Sequence, residues 1–214
     1  MKYKKISNII IKSVNIFTRR KNIPLHEPSI NKKDFDIVRK CLKSSYVSTV
    51  SKFTNLFEKE IIKLTKSKYV IATINGTSAI QVAIRSCDIK KNEEILIPTL
   101  NYIGSTNAAI YCNAIPHFVD VESETLGVDT IKLENYLKKI SRIKNKITIN
   151  KYSKRTIKAI IPTHIFGNAA KIDEIIRIAK RYNLKVIEDA SECVGSFYKK
   201  KTSWDFWRSR SIKF

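Results

Sequence analysis

Three short stretches of this sequence place chemically useful residue types where a strand gives way to a loop. In INGTSAI, Asn75-Gly76-Thr77-Ser78 opens a run of helical period. Glycine permits close backbone approach, two hydroxyls follow, and the free N–H groups and positive dipole of a helix start suit a phosphate. The same residues also make an ordinary turn and N-cap. In IPTLNYIGST, Tyr102 follows an apolar run and offers either a face for a planar ligand or a plain rim aromatic. In VIEDASECVGS an apolar run reaches Glu188 and Asp189. A carboxylate at the tip of a buried strand needs a partner, and the pyridinium nitrogen of a bound cofactor is one; a helix N-cap or a metal ligand are the other readings. The three histidines, His26, His117 and His164, make no HxH or HExxH pattern, so no metal is expected.

These stretches need a scaffold, and the pattern supplies one. From about residue 68, short β-rich runs alternate with longer segments of helical period, as in a parallel α/β layer. Strands are expected at Tyr69–Thr73, Glu94–Ile97, Ile115–Val119, Ile157–Pro162 and Leu184–Glu188, with helices near 77–86, 103–112, 130–140 and 171–182. Upstream, Asn31 before KKDFDIVRKCL reads as a capped helix, and Ser51 opens another with Phe53, Phe57 and Ile61 every fourth residue. The basic, polar stretch Ser141–Arg155 reads as a surface excursion from one continuing domain. In an open parallel sheet ligands gather at the carboxyl ends of the strands, where the three stretches fall.

Composition narrows the class. With 214 residues and 43% hydrophobic content, the chain is long enough for a real core. Lys and Arg number 41 against 19 Asp and Glu, a formal charge of +22. The basic residues run along the whole chain without a zinc knuckle or an RNA-binding aromatic motif, so they read as solvated faces. Cys41, Cys87, Cys112 and Cys193 are far apart, without a CxxC pair, and are expected as reduced core thiols. Near the start, Ile6, Ile9, Ile10, Val14 and Phe17 share one helical face, while Lys12, Ser13 and Asn15 interrupt any secretory core. A packed amphipathic helix is expected there, with a membrane-surface helix as the alternative. The expected compartment is the cytoplasm.

Seven stretches in order carry a resemblance: IPLHEPSI (23–30), SSYVSTVSKFTNLFEKE (44–60), INGTSAIQVAI (74–84), ILIPTLNYIGSTNAAI (95–110), PHFVDVESETLGVD (116–129), KAIIPTHIFGNAAKIDEI (158–175) and VIEDASECVGSFYK (186–199). Together they resemble the DegT/StrS-type pyridoxal-phosphate-dependent sugar-nucleotide aminotransferases. Within that family, PLHEP and TLGVD look most like the enzymes that aminate UDP-linked 4-keto amino sugars on the route to legionaminic acid or bacillosamine. The resemblance implies an α/β fold, an incomplete fold-type-I large domain in three layers around a mostly parallel sheet, with the C-terminal small domain absent. The expected divisions are 1–30 as amphipathic helix and lead-in, 31–201 as partial large domain, and 202–214 as an aberrant tail.

By position, the resemblance implies that Gly76, Thr77 and Ser78 receive the phosphate of pyridoxal 5'-phosphate, Tyr102 stacks on its ring and Asp189 pairs with the ring nitrogen. Glu192 stands where the family often has Gln or His near the cofactor hydroxyl, and Ser51 where many relatives carry Gly. Implied partners are a nucleotide-linked keto sugar, glutamate and a second copy of the chain; neither nucleic acid nor membrane is expected. The alternative reading is a non-catalytic basic module that binds nucleic acid or sugar nucleotides.

The family places its Schiff-base lysine in a segment of the form GTFGDxGxxSFxxxK, due soon after Tyr198. Here the sequence reads KKKTSWDFWRSRSIKF, so no catalytic lysine is assigned. Lys213 is not expected to substitute, because no SF dipeptide precedes it and no sheet is expected to position it. Permitted codons for Thr202–Arg210, read one nucleotide later, spell HLGTFGDLG, and the two Trp codons force glycine at the right places. Lys199-Lys200-Lys201 is encodable as a run of A in which one insertion would shift the frame. The expectation is a frameshifted tail on a chain that does not transaminate.

Overall fold

The structure, a computed structural model, describes residues 2–19, 27–199, 201–202 and 211–213. Ile23–His26 of the first family-like stretch and residues 203–210 of the tail lie outside the described residues. The chain divides into two compact units, Met1–Phe53 and Thr54–Phe214.

The first unit holds α1 (Lys2–Thr18) and α2 (Lys32–Lys43). Asn31 caps α2 as expected: its side chain accepts from the Lys33 N–H at 2.8 Å, and the Asp34 carboxylate accepts from the Asn31 N–H at 2.8 Å, a reciprocal capping box. Ser51 opens α3 (Lys52–Thr65), its hydroxyl accepting from the Phe53 N–H.

The second unit is built on a five-stranded parallel sheet. Its strands are β1 (Glu94–Pro98), β2 (Ile115–Val119), β5 (Ile157–Ile160), β6 (Lys185–Glu188) and β9 (Ser211–Lys213), in the order β2-β1-β5-β6-β9. Period-2 alternation of apolar side chains explains the layers. Ile95, Ile97, Ala159 and Ile187 pack with α4 (Gly76–Ser86) and α5 (Ile103–Tyr111). Leu96, Ile160 and Val186 pack on the opposite face with α6 (Thr130–Ile140) and α7 (Ile172–Arg181).

A hairpin of β3 (Ser141–Lys144) and β4 (Ile147–Asn150) occupies the stretch expected as a polar excursion. Asn145 and Lys146 both take positive φ, 50° and 62°, which is what a two-residue turn matching strand twist requires. The hairpin also has a buried role. Asn150 Nδ2 donates to Glu94 Oε2 at 3.0 Å, the Ser153 hydroxyl donates to Glu94 Oε1, and His117 Nδ1 donates to Glu94 Oε2 at 2.8 Å. Burial raises the Glu94 carboxyl, but the hydrogen bonds from His117, Ser153 and Asn150 outweigh it and hold the group below its ordinary value of 4.5. A carboxyl depressed on folding stabilises in full above its unfolded value, and that contribution is lost as pH falls through the folded value. Glu94→Gln is therefore expected to cost about 1–3 kcal/mol at pH 7 and to flatten the fall in stability below pH 4.5, as read from urea unfolding at pH 7 and pH 4.

Two expectations need correction. Tyr69–Thr73 is not a strand: no ladder forms there, Tyr69 and Ile71 are exposed, and the Ala72 N–H goes to the Glu58 carboxylate at 2.8 Å. A β-rich sequence becomes a strand only beside another strand, and among the described residues this segment has none. Conversely, Lys213 does have a place in the sheet, because Ser211–Lys213 pairs with Val186–Glu188 and sets Lys213 opposite Glu188. The edge of β6 offers a row of unpaired backbone groups that an extended segment satisfies, whatever its frame of origin. The short hairpin β7 (Phe197–Tyr198) and β8 (Lys201–Thr202) precedes it.

Candidate active site

The chain runs from β1 outward to β2, then returns across the sheet to β5 on the other side of β1. That reversal leaves a crevice at the carboxyl ends of β1 and β5. A cavity of about 490 Å³ opens there, lined by residues from four segments. Asn75, Gly76 and Thr77 start α4; Tyr102, Gly104 and Ser105 follow β1; Thr163, His164 and Ile165 follow β5; Asp189, Ser191 and Glu192 follow β6.

Five of the six expected site residues, Gly76, Thr77, Tyr102, Asp189 and Glu192, come together in this lining. Ser78 does not: it lies one residue further into α4, where its N–H donates to Asn75 Oδ1 at 2.8 Å and completes the N-cap. The turn-and-cap reading and the anion-site reading of this stretch thus hold at once. Asn75 satisfies one helix-start N–H, and Gly76 and Thr77 face the cavity. The cradle is tight. A Cβ on Gly104 would sit 2.8 Å from Thr77 Oγ1 and 3.2 Å from Tyr102 Cδ1, so glycine is what lets α4 and α5 begin side by side. Tyr102 is 78% exposed and uses no side-chain cap bond at the start of α5.

Asp189 is buried, and both of its oxygens are held. The Ser105 hydroxyl donates to Oδ2 at 2.8 Å and the Ser191 hydroxyl to Oδ1 at 2.7 Å. Its backbone extends the sheet by a bridge to Thr163, with the Asp189 N–H donating to the Pro162 carbonyl and the His164 N–H to the Asp189 carbonyl. The carboxylate is thereby fixed in direction at the cavity floor. Glu192 Oε2 accepts from the Phe166 N–H at 2.7 Å, tying the β6 loop to the β5 loop, where Phe166 and Gly167 both have positive φ.

Sequence reasoning missed Ser105, Thr163 and His164. His164 is wholly buried; its Nδ1 accepts from the Ala170 N–H at 3.0 Å, which in the neutral ring leaves the proton on Nε2, 3.3 Å from Glu188 Oε1. Thr163 lines the cavity, and its Oγ1 is buried with no hydrogen-bond partner among the described residues. Among the described residues no group of three or more His, Cys, Asp or Glu converges as a metal ion would require.

The sequence matches the profile of the DegT/DnrJ/EryC1/StrS aminotransferase family over residues 28–207. The chain belongs to that family. Among DegT-family relatives, the GDP-perosamine synthase of Caulobacter vibrioides is 35% identical over 181 residues, which are 85% of this chain and 44% of that protein. The chain thus spans about half the length of the curated relatives it matches. Its fold is also that of solved aminotransferases. The X-ray structure of the aminotransferase from Psychrobacter cryohalolentis superposes with a TM-score of 0.69 at 27% identity, covering 84% of this chain and 42% of that one. The NtdA structure from Bacillus subtilis, with bound cofactor PMP, gives 0.65 at 26% identity over 83% and 40%. A DegT-family chain of this extent holds the part of the fold from the α4 helix start through the β6 carboxylate.

Proposed function

We propose that the cavity is the cofactor cradle of a pyridoxal-phosphate-dependent aminotransferase, and that the complete protein aminates a nucleotide-linked 4-keto sugar with glutamate as donor. The observation that carries this reading is a fixed carboxylate facing a helix start across one cavity. Asp189 is aimed by Ser105 and Ser191, while Gly76 and Thr77 present the positive end of α4. In this reading Asp189 pairs with the ring nitrogen, Gly76, Thr77 and the adjacent Ser78 receive the phosphate, Tyr102 covers one ring face, and Glu192 lies toward the ring hydroxyl. The buried Thr163 hydroxyl is a further polar group that a bound ligand would satisfy. The cofactor, when bound, supplies an electron sink; the chain's own residues bind it, orient it and exclude water.

Residues 31–201 are then part of the large domain, working as a homodimer in the cytoplasm. No lysine is among the described residues that line the cavity, so we read the 214-residue chain as unable to transaminate by itself. Mixing the chain with pyridoxal phosphate and glutamate tests this: the spectrum is expected to change no faster than with free cofactor, and rapid conversion to the amine form would overturn it. The phosphate cradle has its own test. Gly104→Ala drives a methyl against Thr77 Oγ1 and is expected to weaken pyridoxamine phosphate binding about tenfold, with little change in melting temperature because the hydroxyl can rotate away.

A further inference from the structure

Helix α1 precedes the family match, which begins at residue 28, and plays no part in the cavity. Its sequence leads to the expectation of a packed helix, but its apolar side chains are exposed: Ile9 is 59%, Ile10 57% and Phe17 90% accessible, and Ile6, Val14 and Ile16 are exposed as well. At 100° per residue these six fall within one half of the helix circumference and Lys4, Lys5 and Lys12 on the other, with two exceptions: the exposed Ile11 lies on the lysine side and position 2 on the apolar side. The charge pattern is one-sided too. Lys2, Lys4, Lys5, Lys12, Arg19, Arg20 and Lys21 occur before the first acidic residue, Glu27.

We propose that α1 is a surface anchor that lies on an anionic lipid bilayer, with Ile6, Ile9, Ile10, Val14 and Phe17 entering the headgroup boundary and Lys5 and Lys12, which flank the apolar half, reaching back to the negative headgroups. Charge complementarity selects this occupant. An amphipathic helix with an apolar half and four to eight basic residues is the form that reads anionic lipid. Nucleic acid has no use for the apolar half, and a second copy of the helix would bring like charges together. The helix lies on the bilayer rather than crossing it, since no helix among the described residues is long and apolar enough to span a membrane.

Because the whole chain carries +22, adsorption by charge alone must be separated from insertion. The full chain is floated with vesicles of phosphatidylglycerol and phosphatidylcholine, and with phosphatidylcholine alone. Binding is expected to the anionic vesicles only. The charge-neutral pair Ile9→Gln and Ile10→Gln is expected to lower partitioning roughly tenfold or more, whereas Ile131→Gln, at a still more exposed apolar site on α6, leaves it unchanged. Unchanged binding in the Ile9/Ile10 variant would overturn the proposal in favour of charge adsorption. A vesicle-independent drop in oligomer mass in that variant would overturn it in favour of a second copy covering the helix.

Discussion

Asp189→Asn is expected to lower the affinity of the chain for pyridoxamine phosphate by about a hundredfold, equivalent to roughly 2.7 kcal/mol, with unfolding expected within about 1 kcal/mol of the parent. The two effects separate for a structural reason. Asn keeps the shape and one acceptor, and its amide donates to Ser105 or Ser191, whose hydroxyls rotate to accept, so the buried hydrogen bonds survive. In the proposed cradle, the variant would lose the carboxylate that pairs with the ring nitrogen, at a position where that carboxylate is buried and its direction fixed. Calorimetric titration of both proteins with the amine form, which cannot label surface lysines, measures the difference. Equal affinities would mean that Asp189 is a structural cap of the β6 loop and not a cofactor ligand.

His164→Ala acts on stability instead, with an expected loss of about 3–5 kcal/mol in urea unfolding. Two terms add. The Ala170 N–H loses its acceptor at a wholly buried position, and the missing ring leaves a void beside the sheet. The loop from Ile165 to Ala170 also loses its anchor, so the Phe166–Glu192 contact loosens and ligand affinity falls with stability. His164→Asn, whose carboxamide oxygen can accept from Ala170, is expected to recover part of the loss. If alanine and asparagine were equally mild, the buried imidazole would not be what holds that loop.

How much of this was legible in the sequence depends on how local each signal is. Ile95-Leu96-Ile97 is a continuous apolar run because β1 is covered on both faces, and such runs are read without knowing their neighbours. Asn31 and Asn75 announce helix starts within a few residues. Asn145-Lys146 was a turn signal of the same local kind, but the lysine-rich composition hid it. The misses are non-local. Ser105 matters because Asp189, 84 residues on, accepts its proton, and no spacing rule joins them. His164 reads as one histidine among three until Ala170 and Glu188 surround it. Glu94, at the opposite end of β1 from the cavity, becomes buried and triply bonded only when the hairpin folds over it. Tyr69–Thr73 failed in the other direction: its residues favour a strand, but pairing needs a neighbour.

In the proposed reading, the crevice between β1 and β5 binds a phosphorylated pyridine through the start of α4 and the carboxylate of Asp189. Titration of the 214-residue chain with pyridoxamine phosphate, beside pyridoxamine without the phosphate, tests it most directly. One saturable site is expected, and it loses affinity when the phosphate is removed, when Gly104 becomes Ala and when Asp189 becomes Asn. No saturable site, or a site indifferent to all three changes, would contradict this reading.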